Sequence, residues 1–163
     1  MSVVRVRILA VGHRQPEWVD SAVQEYLRRI RLPWRVELLV IEPVARSATR
    51  SAAGVDAAAL EREGERVLSA LRDRERAILL DEGGKTFSTR EWAARLATLA
   101  QDSPDLALLI GGADGHAAAV RSRAIESWSL SRLTLPHGLA RVVLAEQLYR
   151  AQSLALGHPY HRD

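Results

Sequence analysis

The sequence predicts an α/β layer fold with a mainly parallel sheet. Apolar stretches of strand length alternate along the chain with stretches whose apolar residues recur at helical spacing. The stretch DLALLI, 105–110, is apolar after its first residue, as befits a strand buried on both faces of a parallel sheet. No repeat, low-complexity tract or linker interrupts this order, so the 163 residues read as one domain, 1–163.

VVRVRILAVG at the start is the first strand. Pro16 and Glu17 open a helix that places Trp18, Val19, Ala22, Val23, Tyr26, Leu27 and Ile30 on one face. RVELLVIE, 35–42, is the second strand, and the small-residue stretch PVARSATRSAAG after it reads as the most mobile loop. Residues 56–73 form the second helix, with Leu60, Val67 and Leu71 facing inward. RAILLD is the third strand, turned by EGGK. Ser88 and Glu91 make a capping box for a helix to about Gln101. DLALLI is the fourth strand, followed by GGADG and a short alanine-rich helix. SLSRLTL, 129–135, is the fifth strand, stopped by Pro136, and the last helix runs from about Gly138 to Leu156.

Composition narrows the class. Apolar residues make up 47% and charged residues 26%, as in ordinary globular chains. No stretch approaches the ~18 apolar residues of a membrane helix. The opening run carries Arg5 and Arg7 and has no small-residue cleavage pattern, so it reads as a strand rather than a signal peptide. There are no cysteines, which excludes disulfides and thiolate metal sites and suits the cytoplasm. The net charge of +3 is unevenly placed. Residues 1–114 balance 17 basic against 17 acidic groups, whereas the last 49 residues hold six arginines against three carboxylates. Every basic residue but Lys85 is arginine, which suits bidentate phosphate contacts.

Three stretches are candidates for chemistry. LLIGGADG runs a buried strand into glycines before a helix, where backbone amides favour an anion; a plain strand-to-helix turn has the same pattern. It matches neither GxGxxG nor the P-loop, so dinucleotide and ATP binding are unsupported. The last helix carries two apolar stripes. Leu139, Val142, Ala145, Tyr149 and Leu156 form one, and Leu144, Leu148, Ala151 and Ala155 the other. Such a helix is covered from two sides, for instance by its own sheet and a second subunit. Arg141 and Gln152 fall between the stripes, and Arg141 there needs an anion or an ion pair, with Glu146 or Asp163 as structural partners. The tail HPYHR gathers His158, Tyr160, His161 and Arg162. Its histidine spacing is broken by Pro159 and has no carboxylate cluster beside it, so no metal site is expected. His137, after Pro136, is expected at a strand end in a backbone hydrogen bond, and His13 and His116 in loops.

Several stretches together resemble one family. They are ILAVG near the start, EYLRR, EREGERVL, LDEGGK, LLIGGADG, SWSLSRLTLPHGLARVVLAEQLYRA at 127–151 and HPYHR at 158–162. The likeness is to the ribosomal large-subunit RNA methyltransferase H family of the SPOUT class. It covers nearly the whole chain, with only the 43–57 loop unlike it. The resemblance implies a SPOUT-type sheet with helices on both faces and a C-terminal deep trefoil knot spanning roughly 105–163. It implies a homodimer packed through that region. It also implies transfer of a methyl group from S-adenosyl-L-methionine to N3 of a pseudouridine in helix 69 of 23S rRNA, within the assembled ribosome. Carried over residue by residue, the cofactor is held by Leu80, Gly111 and the segment Leu130, Ser131, Arg132, Leu133, Thr134, Leu135, with Gly112 allowing close approach. The catalytic candidates are Arg141, Tyr160, His161 and Arg162. Arg141 and Arg162 would stabilise a developing anion or grip a phosphate; Tyr160 or His161 would accept the proton or stack on the base. A SPOUT methyltransferase of another RNA, such as tRNA, and a non-catalytic ribosome-binding protein are the alternative readings.

Overall fold

The computed structural model of the chain describes residues 3–47 and 54–161, with the side chains described as far as Tyr160. Among them are five strands in one wholly parallel sheet, ordered β2-β1-β4-β3-β5. The strands are β1 (Val4–Val11), β2 (Trp34–Ile41), β3 (Arg76–Thr86), β4 (Asp105–Ile110) and β5 (Glu126–Ser129). The helices are α1 (Glu17–Arg29), α2 (Ala57–Ala70), α3 (Thr89–Asp102), α4 (Ala118–Arg123) and α5 (His137–Ala155), and a 3-10 turn, Pro159–His161, follows.

Alternation along the central strands sorts the core into two layers. Ile8, Ile78, Leu80, Leu106, Leu108 and Ile110 face one way, onto Trp92 and Leu96 of α3 and Leu144 and Leu148 of α5. Leu9, Leu79, Ala107 and Leu109 face the other way, onto Val67 of α2 and Val120 of α4. Helices therefore cover both faces, and β4 is buried on both sides from Leu106 to Ile110. The capping box at Ser88 and Glu91 forms as its spacing requires, with Ser88 Oγ accepting from the Glu91 amide and Glu91 accepting from the Ser88 amide.

The expected elements need correction in several places. SLSRLTL is not a strand: β5 ends at Ser129 and residues 130–136 are a loop. Local bonds compete with the sheet there. Ser129 Oγ donates to the Ser131 carbonyl at 2.7 Å, and Ser131 Oγ accepts from the Leu133 amide at 2.9 Å. EGGK does not turn the chain either. β3 continues through it to Thr86, and pairing with β5 shifts register so that Trp128 partners both Leu80 and Lys85. α2 stops at Ala70, short of residue 73, where Arg7 of β1 reaches across and donates to the Ala70 carbonyl at 3.1 Å. Of the loop expected after β2, residues 48–53 lie outside the described residues.

α5 is covered from two sides, yet much of the second cover comes from the chain itself. Ala145 packs with Val19 and Val23 of α1, with Val142 and Tyr26 beside them. Leu139 and Leu156 at the two ends of that stripe stay exposed, as does Trp18 of α1 at 59%. His137 is the first residue of α5 rather than a strand end.

Candidate active site

In a parallel sheet the carboxyl ends of the strands share one edge, and ligand sites form there. β4 and β5 end there in loops, and β3 runs past them to Thr86. Between these loops lies a cavity of about 520 Å³, a size suited to a cofactor-sized molecule. Seven of the nine residues expected at a cofactor line it: Leu80, Gly111, Gly112, Leu130, Ser131, Leu133 and Leu135. Arg132 and Thr134 belong to the same loop but are not among the lining residues. Ile110, Asp81, Glu82, His116, Arg121, His137 and Ala140 also belong to the wall.

The GGADG turn is closed on itself. The Gly115 amide donates to the Gly112 carbonyl at 3.1 Å, with Gly115 at φ +79°. A Cβ on Gly111 would lie 2.6 Å from the Gly115 carbonyl oxygen, so only glycine permits this closure. Arg46 braces the turn from outside. Its guanidinium meets the buried Glu63 at 2.7 Å and Asp114 at 2.9 Å. Glu63 in turn accepts from the Val44 amide at 3.0 Å. The segment after β2 is thereby fastened to the cavity wall.

The polar groups of the wall are mostly engaged. Nε2 of buried His116 donates to the Leu80 carbonyl at 3.0 Å, and burial pushes the imidazole toward its neutral form. Asp81 accepts from the Gly83 amide at 2.9 Å and pairs with Arg121. The amide and the guanidinium hold its carboxyl below the ordinary range.

Two side chains keep buried polar atoms without a partner: His137 of the wall, and Arg141, which is not among the lining residues. Arg141 is 2% exposed, and its Nε and Nη2 are buried without a hydrogen-bond partner among the described residues. Burial pushes its pKa down, countered only by the more distant charge of Asp20 on α1. The expected ion pair with Glu146 does not form, because Glu146 is taken by Arg150 at 2.8 Å; Asp163 lies outside the described residues. Nε2 of His137 is also buried without a hydrogen-bond partner among the described residues. Burial first, and then the nearby Arg141 charge, push this imidazole toward neutrality. Both groups converge on Gly12, at the end of β1. A Cβ there would lie 2.9 Å from Arg141 Nη2 and 2.9 Å from His137 Nε2.

The tail is elsewhere. Tyr160 packs on Tyr149 with ring centroids 4.5 Å apart, under the Arg150 guanidinium at 4.8 Å, and donates to Glu146 at 3.2 Å. Tyr149 is eight residues along α5 from Arg141, about 12 Å at 1.5 Å per residue. Tyr160 and Arg141 are thus not brought together within one chain. The His161 backbone belongs to the 3-10 turn; its side chain and Arg162 lie outside the described residues.

Gly12, Asp81, His116 and His137 were missed as site residues by sequence reasoning. Gly12 sits just beyond the carboxyl end of β1 and His116 in the loop after β4, positions that flag them once the strands are drawn, whereas Asp81 lies within β3. His137 carries no such signal, because the loop before it was read as a strand. Among the described residues no group of three or more His, Asp or Glu is placed to hold a metal ion. No helix among them is long and apolar enough to cross a membrane.

Comparison with known proteins follows the same outline. Residues 4–161 match the family described as "Predicted SPOUT methyltransferase". The chain is similar to the ribosomal RNA large subunit methyltransferase H of Chromohalobacter salexigens, 46% identical over 98% of this chain and 100% of that protein. It is also similar to the protein of that name from Burkholderia mallei, 45% identical over 98% of this chain and 99% of that one. Among solved structures, it resembles a probable rRNA-methyltransferase from Porphyromonas gingivalis with a TM-score of 0.56. That alignment covers 94% of this chain and 70% of the other at 13% identity, and so speaks for the fold alone.

Proposed function

The chain belongs to the SPOUT methyltransferase family, and from that premise we propose that it methylates ribosomal RNA of the large subunit. The full substrate we assign is N3 of a pseudouridine in helix 69 of 23S rRNA within the assembled 70S ribosome, modified in the cytoplasm. The observation that carries this is the match to ribosomal RNA large subunit methyltransferase H along essentially the entire length of both chains.

The cavity suits S-adenosyl-L-methionine. Leu80, Ile110, Leu130 and Leu135 offer an apolar slot for a purine, and the 111–115 turn offers backbone groups at close approach. With Asp81 paired to Arg121, Glu82 leaves the wall's acidic side with one excess negative charge, favourable for a cationic ligand. When bound, this cofactor supplies an electrophilic methyl group on a sulfonium. The protein's task is then alignment, exclusion of water and stabilisation of the deprotonated target nitrogen. Arg141 fits the last task, since it holds two buried donors with no acceptor among the described residues.

The separation of Arg141 from Tyr160 along α5 favours a homodimer. A second copy would bring its own HPYHR tail to the cavity, and the exposed Trp18 and Leu139 give it apolar surface to pack on. In this reading residues 1–163 act as one domain. The loop 130–136, lining the cavity together with the 111–116 turn, belongs to a C-terminal trefoil knot. The decisive experiment is mass spectrometry of ribosomal RNA from cells lacking the protein, with and without complementation. A single methyl group lost from helix 69 and restored by complementation is expected. An unchanged 23S rRNA, or a methyl lost from tRNA instead, would refute the assignment.

A further inference from the structure

A second hollow, of about 530 Å³, lies between the end of α1 and the tail and shares no lining residue with the first cavity. We propose that it is an RNA-binding groove: Arg29, Arg31 and His158 hold a backbone phosphate, and Tyr149 and Leu156 receive the adjoining base. The proposal rests on the rRNA methyltransferase reading given above and names a surface for the substrate strand.

Charge selects the class of ligand. Residues 25–31 place three arginines against Glu25 alone. Arg28 and Arg29 share that carboxylate, at 2.8 and 2.6 Å, so one positive charge of the two is left over. Arg31 has no acidic partner among the described residues; one of its guanidinium nitrogens donates to the Arg28 carbonyl. His158 adds a donor. Its Nδ1 accepts from the Tyr160 amide at 3.2 Å, so the neutral ring carries its hydrogen on Nε2. The two amide and hydroxyl side chains of the wall are already engaged. Gln152 accepts from the Arg31 amide at 2.9 Å and donates to the Arg31 carbonyl, and Ser153 donates to the Tyr149 carbonyl at 2.9 Å. The charge left in this groove is positive, whereas the first cavity keeps an excess negative charge at Glu82. A phosphate strand is therefore drawn to one hollow and a cationic methyl donor to the other.

Two helices end at this groove, and a helix C-terminus by itself repels an anion. Here the terminal carbonyls are covered. Arg31 caps the Arg28 carbonyl of α1, and the His158 amide donates to the Ser153 carbonyl of α5 at 2.8 Å. The aromatic side completes the fit. The Arg29 guanidinium lies 5.6 Å from the Tyr26 ring centroid and 5.9 Å from that of Tyr149. A planar cation held against two rings keeps its orientation for a phosphate. Tyr149 is half-buried and Leu156 is 51% exposed, so apolar surface adjoins the cations. That pairing of ring faces with a positive groove is how single-stranded nucleic acid is held, because every base has a face to stack. In the proposed dimer the tail of one copy reaches the cavity of the other, and the groove beside that tail leads the strand toward the methyl donor.

Salt dependence and crosslinking test the groove in the full-length protein. Arg31→Ala is expected to lower kcat/KM for ribosomes by about tenfold at low salt and to make the plot of log kcat/KM against log salt shallower by roughly 0.7–1, the share of one phosphate contact. Calorimetric affinity for S-adenosylmethionine should stay within about twofold of wild type. Arg74→Ala, an exposed arginine outside the groove, should leave the slope unchanged. An unchanged slope in Arg31→Ala, or an equal change in both variants, would overturn the proposal. The chain has no cysteine, so Leu156→Cys accepts an azide photocrosslinker at a single position. Crosslinks to 23S rRNA are expected on illumination with ribosomes. Crosslinks only to ribosomal protein, only to a second copy of the chain, or to nothing would each remove RNA from the groove. A wild-type protein that neither binds the donor nor methylates RNA would instead overturn the methyltransferase reading, and this groove's role with it.

Discussion

Tyr160 donates its hydroxyl hydrogen to Glu146 Oε1 of its own chain at 3.2 Å, the same carboxylate oxygen that accepts from Arg150. The tail is therefore docked on α5, away from the cavity its own chain forms. Removal of residues 158–163 should leave donor binding intact and cost little stability, since one part-buried hydrogen bond is worth about 0.5–1.5 kcal/mol. Methyl transfer should be abolished. Calorimetry, thermal unfolding and methyl incorporation on the same truncated protein check this, and full activity would dismiss the tail from the site.

The cation in α5 gives a sharper contrast. Arg141 is buried with no hydrogen-bonded carboxylate among the described residues, and its desolvation is only partly offset by the charge of Asp20. Arg141→Met keeps the volume and removes the charge. It should stabilise the fold by about 1–3 kcal/mol in urea unfolding, in the range seen when buried charges are replaced by apolar groups. Methyl transfer should fall by about 100-fold or more, as on loss of an oxyanion-stabilising donor. A variant that loses stability instead would make Arg141 a structural residue.

Gly12 tests the same corner from the strand side. In Gly12→Ala the added methyl meets Arg141 Nη2 and His137 Nε2 at 2.9 Å, both at the far ends of movable side chains. The fold should survive with a loss of about 1 kcal/mol, the low end for overpacking. The displaced pair should lower transfer at least tenfold, because a shift of about an ångström in a catalytic group is costly. Wild-type rates in this variant would mean that the pair can move without consequence.

The sequence made much of this legible, and the limits have physical causes. Hydrophobic period, apolar runs, the Ser88–Glu91 capping box and the alanine-rich stretch after GGADG together located all five helices and the first four strands; the core faces of Leu106, Leu108 and Ile110, and of Leu144 and Leu148, repeat at the pitch of their elements. Hydrophobic pattern failed at 129–135, where Leu130, Leu133 and Leu135 look like strand residues but serve as cavity wall. Serine side chains bonding the local backbone carry no signature at that length scale. The seven lining residues expected of a cofactor site came from family likeness, not from spacing. The junction of Gly12, His137 and Arg141 joins the end of β1 to the start of α5, and no local pattern announces a contact across that much chain.

Arg46 links the segment after β2 to the GGADG turn through Glu63 and Asp114. Arg46→Ala strips the buried Glu63 of its cation, leaving the Val44 amide as a remaining donor. Because Arg46 is itself partly exposed, the loss should sit near the lower bound for breaking a buried pair, about 3 kcal/mol. Donor affinity should drop as the turn loosens. The double variant Arg46→Ala, Glu63→Gln should recover part of the stability, since the uncompensated charge is gone. Urea unfolding of both variants reads this, and equal stabilities would show that the pair contributes nothing.

Acid should weaken the fold earlier than carboxylate titration alone would allow. His116 and His137 both have pKa values pushed down, by burial first in each case. The unfolded chain then binds protons more readily than the native one once pH falls below the ordinary histidine value of about 6.5. Their contribution is complete above that value and is lost as pH descends toward the depressed native values. Each residue contributes a slope of at most about 1.4 kcal/mol per pH unit in that window. Asp81, held low by the Gly83 amide and Arg121, adds a second decline only below the ordinary carboxylate value of about 4. Unfolding free energy measured by urea at a series of pH values should therefore begin to fall between about pH 6.5 and 5, and His137→Gln should flatten that first slope by one group's share. A stability that stays level down to about pH 5 would show that neither imidazole is held neutral by its surroundings.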